Sequence, residues 1–133
     1  MQIFDDAVAL TFDECLARLP AAGMGHVALS VKALPLVVPT PFRVTRDGVT
    51  FQPPNDRRLV GAIEGTIVSF VAEGVDERGV TWSVAVIGPA RLHSAGQELR
   101  DHIEVFVPFQ VVVGRRFDSL LLQAYALPKL GGG

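Results

Sequence analysis

The stretch at residues 79–92 constrains the fold more than any other part of the chain. It is rich in β-branched, aromatic and small apolar residues, and it has no helical period. Successive side chains of a strand point to opposite faces, so two alternating sets can be read from it. The two sets are Trp82, Val84, Val86, Gly88 and Ala90, and Thr81, Ser83, Ala85, Ile87 and Pro89. Because neither set is charged, we expect a barrel interior to cover one face and a second layer or second subunit to cover the other.

The composition favours a single domain that associates with other subunits, and it argues against a membrane protein or a nucleic-acid-binding protein. At 133 residues the whole chain, 1–133, is expected to be one domain, with residues 131–133 as a disordered tail. No apolar run approaches the roughly 20 residues of a membrane helix, and no secretory leader is recognised. The net charge of −2 argues against nucleic-acid binding. A single cysteine fits a reducing compartment, so a cytoplasmic location is expected.

The first structural signal is a capping box at Thr11 and Glu14. Threonine at the N-cap and glutamate three residues later satisfy each other's backbone N–H groups at the start of a helix. Phe12, Cys15 and Leu19 then recur on one helical face, and the segment closes at Pro20. Cys15 lies in that apolar stripe, so it is interpreted as a packed core residue and not as a reactive thiol.

After residue 25 the apolar period changes from helical to alternating, and six strands follow. We place them at residues 26–31, 34–45, 49–52, 66–72, 79–92 and 103–117, with a short helix at 57–64 that plugs one barrel end. Prolines at 35, 39 and 41 confine the second strand to an edge or a bulge. Short connections between strands and only short helices predict a mainly β fold, a small antiparallel barrel.

Few residues suggest chemistry. His26, His93 and His102 are far apart and unaccompanied by a cysteine pair, so no metal site is expected. No nucleophile elbow and no glycine-rich phosphate loop occurs, and no residue stands out as a general acid or base. The paired arginines 57–58 and 115–116 are either solvated surface charges or phosphate partners. The first pair begins a short helix, where free N–H groups also attract anions.

Five motifs in order resemble the pyridoxamine-phosphate-oxidase-like, FMN-binding split-barrel family. They lie at residues 25–29 (Gly-His-Val-Ala-Leu), 34–42 (Leu-Pro-Leu-Val-Val-Pro-Thr-Pro-Phe), 47–51 (Asp-Gly-Val-Thr-Phe), 81–90 (Thr-Trp-Ser-Val and Gly-Pro-Ala) and 114–116 (Gly-Arg-Arg). The resemblance spans residues 11–117. It implies a six-stranded, Greek-key split barrel that forms a homodimer.

The resemblance also implies a cofactor site at the dimer interface. Family members hold FMN there, or in some cases deazaflavin or haem, which would make this chain an FMN- or deazaflavin-dependent oxidoreductase acting on a small molecule. The positions that match the family's cofactor-binding motifs are Pro39, Thr40, Phe42, Gln52, Arg57, Arg58, Trp82 and Ser83.

Several residues depart from the family pattern near the expected phosphate site. Gln52 replaces an arginine, Pro53 a threonine and Asp56 a glycine, while Arg58 keeps the charge of a lysine. Each charge-assisted bond lost removes about 1.5–3 kcal/mol, so FMN is expected to bind weakly or not at all. The alternative is therefore a family member without flavin, serving as a non-catalytic small-molecule-binding or structural dimer.

Overall fold

The structure is a computed structural model and describes residues 8–53, 57–94 and 103–117. The side chains of residues 57–59, 93 and 94 are not described. Ten strands and two α-helices occur in these ranges. In chain order they are β1 (Val8–Leu10), α1 (Phe12–Arg18), β2 (Gly25–Val31), β3 (Leu34–Thr40), β4 (Phe42–Val44), β5 (Gly48–Phe51), α2 (Arg57–Ile63), β6 (Ile67–Val75), β7 (Thr81–Pro89), β8 (Arg91–Ser94), β9 (Ile103–Pro108) and β10 (Val111–Phe117).

The strands form two antiparallel sheets, which confirms the predicted mainly β split barrel. The larger sheet has the order β1-β10-β7-β6-β2-β3, and the smaller has the order β4-β5-β9-β8. Three of the six predicted strands are each divided between the two sheets. An additional strand, β1, pairs with β10 at one edge of the larger sheet. The divisions fall at Pro41, at Ala90 after Pro89, and at the turn after Pro108. Proline removes a ladder donor, which explains why each long strand changes sheet at that point.

The capping box of α1 is confirmed. The Glu14 amide donates to Thr11 Oγ1 over 3.2 Å, and the Thr11 amide donates to Glu14 Oε1 over 2.9 Å. A single 3₁₀ turn, Leu19–Ala21, carries Pro20 and ends the helical segment. Cys15 is 1% exposed and belongs to the core, as predicted, and burial raises the pKa of its thiol.

The core fills the space between the inner faces of the two sheets. From β7 it takes the first alternating set, with Trp82, Val84 and Val86 all buried. Three phenylalanines lie at its centre. The Phe70 ring is 4.8 Å from that of Phe42 and 6.1 Å from that of Phe51, centroid to centroid. Ile63 of α2 is buried against this core, so α2 closes one barrel end as expected.

The outer face of the larger sheet is apolar and half-covered in a single chain. In register across the sheet, Ala85 of β7 lies between Val71 of β6 and Val113 of β10. The most exposed apolar side chains of this face are Val37 (66%), Val75 (65%), Ile67 (62%), Val111 (46%) and Val113 (42%). We call this surface the outer apolar face. Apolar strand positions with this exposure are typical of a surface that a second protein layer covers.

Some expectations lie outside the described residues. These are the replacement of a glycine by Asp56 and the disordered tail at 131–133. Within the described ranges, no helix is long and apolar enough to cross a membrane. The smaller sheet and the outer apolar face are the two surfaces that bear on function.

Candidate functional site

A groove of about 210 Å³ opens on the smaller sheet, at the point where the chain crosses from β3 to β4. Its lining comes from three neighbouring strands and consists of Pro41, Phe42, Arg43, Thr50, Phe51, Gln52 and Glu104. Two of the predicted site residues, Phe42 and Gln52, meet here. Gln52 directly follows β5, is exposed and lines the groove.

An ion pair crosses this groove. Arg43 Nη2 donates to both carboxylate oxygens of Glu104, at 3.2 and 3.4 Å. The Arg43 side chain is 67% exposed and that of Glu104 is 16% exposed. Such an exposed pair stabilises the fold by at most about 1 kcal/mol. The guanidinium therefore lies mostly in solvent, while its partner carboxylate is largely covered by protein.

Sequence reasoning missed Arg43 and Glu104. The Asp-Gly pair at residues 47–48 is typical of a β-hairpin turn. Such a hairpin places Arg43 opposite Thr50, which gives part of the position of Arg43 in the groove. Glu104 belongs to β9, whose pairing with β5 joins segments more than 50 residues apart in the chain. No local pattern specifies such a long-range pairing, so the ion pair was not predictable from either residue alone.

Thr40 and Phe42 serve the architecture beneath the groove. The buried Thr40 hydroxyl shares its proton between the carbonyl oxygens of Pro41 (2.9 Å) and Gln52 (3.1 Å). This bond ties the β3–β4 crossing to the end of β5. The Phe42 ring points inward onto Phe70, with only its edge in the groove. Thr40 thus positions the backbone of Gln52, and its hydroxyl proton is used within the protein.

The remaining predicted residues lie on different faces of the larger sheet. Ser83 faces outward, in register with Glu73 of β6 and Arg115 of β10. Trp82, one residue earlier, points inward and is only 2% exposed. Pro39 is exposed on the edge strand β3, opposite His26. Because β3 and β7 are three strand intervals apart, Pro39 and Ser83 are separated by roughly 14 Å across the sheet.

A single chain therefore does not bring the predicted residues into one site. Gln52 and Phe42 share the groove, while Ser83 and Pro39 lie on the outer side of the larger sheet. Trp82 lines a separate cavity, together with residues of α1 and of the β6–β7 loop. Arg57 and Arg58 begin α2, five and six residues after Gln52, but their side chains lie outside the described part.

Among the described residues, no group of three or more histidine, cysteine, aspartate or glutamate side chains could hold a metal ion. The groove offers other chemistry. It presents one guanidinium, one carboxylate, one primary amide and the edges of two aromatic rings. This combination suits a planar ligand that carries both hydrogen-bonding groups and a negative charge.

Solved structures with this fold support the architecture. The FAD binding protein from Mycobacterium smegmatis is 28% identical, with a TM-score of 0.69 over 84% of this chain and 99% of that one. A putative pyridoxamine 5'-phosphate oxidase from Corynebacterium glutamicum is 22% identical, with a TM-score of 0.69 over 84% and 98%. An FAD-binding protein from Mesorhizobium loti is 17% identical, with a TM-score of 0.67 over 83% and 96%.

No curated protein matches the chain. The family model described as pyridoxamine 5'-phosphate oxidase matches residues 11–124, which is most of the sequence. This range includes α1, every strand except β1, and every residue of the groove. The chain therefore belongs to the pyridoxamine 5'-phosphate oxidase family.

Proposed function

We propose that this protein binds a flavin nucleotide at a site shared between two copies of the chain, where the flavin serves a redox reaction on a small molecule. The observation that carries the proposal is the separation of the site residues within one chain. Gln52 and Phe42 line the groove, whereas Ser83 lies across the larger sheet beside an exposed apolar face. Two copies related by symmetry can bring the groove of one chain to the Ser83 region of the other.

The size of the groove supports a shared site. Pockets for small molecules and cofactors usually enclose about 300–1,000 Å³, so about 210 Å³ is too little for a whole flavin. A second chain packed on the outer apolar face would add the missing wall. Its apolar side chains, with Val113 and Val71 beside Ala85, also match the composition expected at the core of a stable homodimer interface.

The residues present fit a flavin in kind. The Gln52 amide and the Ser83 hydroxyl can hydrogen-bond the edge of the ring system, and the apolar face can pack against its plane. Arg43 supplies a positive charge in the groove that can face a phosphate. When bound, the flavin supplies hydride transfer, and the protein contributes binding and orientation.

The same residues favour FAD over FMN. FMN ends in a single phosphate, so its affinity depends strongly on contacts at one place. There the chain has Gln52 and Pro53 in positions where an arginine and a threonine were expected, and Asp56 in a position where a glycine was expected. FAD carries a second phosphate and an adenosine, which can contact other parts of the dimer. The FAD binding protein from M. smegmatis, 28% identical, is in keeping with this choice.

Titration of the purified protein with FMN and with FAD, followed by quenching of flavin fluorescence, tests the proposal. We expect saturable binding of FAD and binding of FMN at least about tenfold weaker. The Gln52→Arg, Asp56→Gly double variant should strengthen FMN binding. An aspartate at about 4 Å from the phosphate opposes it by roughly 4 kcal/mol at an effective dielectric constant near 20.

A matched control keeps the interpretation clear. Lys32→Gln changes an exposed charge in the β2–β3 turn, away from the groove, and should leave both affinities unchanged. If neither flavin binds the parent or the double variant, the non-catalytic alternative replaces the proposal. If FMN binds the parent tightly, the inferred loss of phosphate contacts is wrong.

A further inference from the structure

We propose that a second cavity, at the end of the barrel beneath α1, is a binding site for a small monocarboxylate with an aromatic or branched apolar body. The cavity has a volume of about 420 Å³. It is lined by Ala17, Arg18, Ala21, Val75, Asp76, Glu77, Arg78 and Trp82. This volume lies within the range of ordinary small-molecule sites. No lining residue belongs to the groove on the smaller sheet.

The floor of the cavity is apolar and rigid. The Trp82 indole packs beside Gly74, where an added Cβ would lie 2.6 Å from the ring. Glycine at this position therefore lets the indole lie flat against the backbone of β6. Ala17 and Ala21 on the α1 side and Val75 at the end of β6 also line the cavity, and all three are exposed to solvent. Small side chains opposite an indole leave room for a flat or branched apolar group.

The rim carries two guanidinium groups, those of Arg18 and Arg78. Arg18 Nη1 donates to the carbonyl oxygen of Glu14 over 3.1 Å, which anchors the side chain. Its Nε is buried and finds no acceptor in the described part of the chain. Arg78 is exposed across the opening and makes no side-chain hydrogen bond within the described ranges. A guanidinium fork matches the geometry of a carboxylate, and that of Arg18 is anchored by the protein.

The loop that carries Arg78 is preorganised by Asp76. Asp76 Oδ1 accepts hydrogen bonds from the amides of Arg78 (2.8 Å) and Val80 (2.9 Å). The Asp76 amide donates to the Val80 carbonyl oxygen, also over 2.9 Å, and Gly79 completes the turn with a φ of +81°. Asp76 is therefore engaged with its own loop. This arrangement fixes the position of Arg78 before any ligand arrives, which favours binding.

The charge balance favours a monoanion over a dianion. Arg18 and Arg78 contribute two positive charges, while Asp76 and Glu77 contribute two negative ones. A phosphate monoester brings nearly two negative charges into a lining with no net positive charge. A carboxylate brings one charge and uses both guanidinium groups. The apolar floor requires that the rest of the molecule be uncharged.

The site is independent of the proposed flavin site. Trp82 and Ser83 are adjacent in sequence, but their side chains lie on opposite faces of the larger sheet. A ligand in the cavity would contact the barrel end and the flavin the outer face, and Val75 is the one residue named for both surfaces. Loss of flavin binding would leave this proposal intact, and the reverse also holds.

Benzoate is a suitable probe because Trp82 is the only tryptophan of the chain. Binding is measured by isothermal titration calorimetry and located by the change in Trp82 fluorescence. We expect saturable binding of benzoate with a fluorescence change, and binding of neutral benzamide that is at least about tenfold weaker. Inorganic phosphate should not compete with benzoate. Absence of saturable benzoate binding, or equal binding of benzamide, would overturn the proposal.

Two arginine variants and one control identify the residues. Arg18→Gln and Arg78→Gln should each weaken benzoate binding by about tenfold or more. Arg46→Gln removes an exposed arginine in the β4–β5 turn, outside the cavity, and should leave binding unchanged. Because Arg78 is exposed on a loop, its variant is expected to fold even if the Arg18 variant does not. Unchanged affinity in Arg78→Gln contradicts the assignment.

Discussion

Replacing Gly25 by alanine should disrupt the aromatic cluster that supports the candidate groove. Gly25 lies on the inner face of β2, and a methyl group there would overlap Cζ and Cε2 of Phe70. The overlap is more than 1 Å inside ordinary van der Waals contact, which begins at 3.4 Å. The new methyl would also come within 3.3 Å of Phe42 Cδ1.

Phe70 cannot move away at low cost. The ring has no exposed surface, and the rings of Phe42 and Phe51 pack against it. Overpacking a filled core in this way lowers the free energy of unfolding by about 1–3 kcal/mol. Since Phe42 and Phe51 also line the groove, the same displacement should weaken ligand binding there.

The matched control is Gly61→Ala. Gly61 lies in α2, is exposed and has nothing within 4 Å of an added Cβ. Alanine in a helix is more favourable than glycine, so this variant should gain about 0.5–1 kcal/mol. Urea unfolding followed by Trp82 fluorescence measures both variants. A Gly25→Ala protein as stable as the parent would refute the reasoning about the Phe70 cluster.

Three further predictions concern other parts of the chain. Cys15 is buried, so a thiol reagent should react slowly with it in native buffer and rapidly in denaturant, and equal rates would place the thiol at the surface. The Val80 amide, followed by that of Arg78, holds the pKa of Asp76 below its usual 3.8. The ionised Asp76 carboxylate therefore stabilises the fold above pH 3.8, and this stabilisation is lost as the pH falls through the lowered pKa. The parent protein should accordingly unfold at a lower urea concentration at about pH 3 than at neutral pH, and Asp76→Asn should make this difference smaller. Ala85→Asp puts an unpaired charge on the outer apolar face and should yield monomers in sedimentation velocity, whereas Lys32→Asp in an exposed turn should not.

The features that were predictable from sequence are those with local causes. The capping box at Thr11 depends on residues within one helical turn, and the structure reproduces both of its hydrogen bonds. Alternation along residues 79–92 separated the two faces of β7, and the structure buries the set that contains Trp82, Val84 and Val86. The prolines at 41, 89 and 108 marked the points where strands break. Which sheet each half then joins depends on pairings between distant segments, which no local pattern encodes.

The site was less predictable than the fold. Trp82 and Ser83 were both assigned to one site from their motif, although alternation alone puts adjacent strand residues on opposite faces. The structure separates them in this way, with Trp82 inward and Ser83 outward. The cavity under α1 was not foreseen, because Arg18 and Arg78 are 60 residues apart in sequence and meet only through the barrel end.

Sedimentation velocity of the parent protein with bound FAD, recorded at the flavin absorbance, tests the shared site most directly. We predict that the flavin sediments with a species of two chains, and that Ala85→Asp loses flavin binding together with dimerisation. Lys32→Asp, which leaves the outer apolar face intact, should retain both properties. Flavin that sediments with a single chain, or a monomeric Ala85→Asp variant that still binds FAD at the parent's affinity, would contradict a site built from two copies.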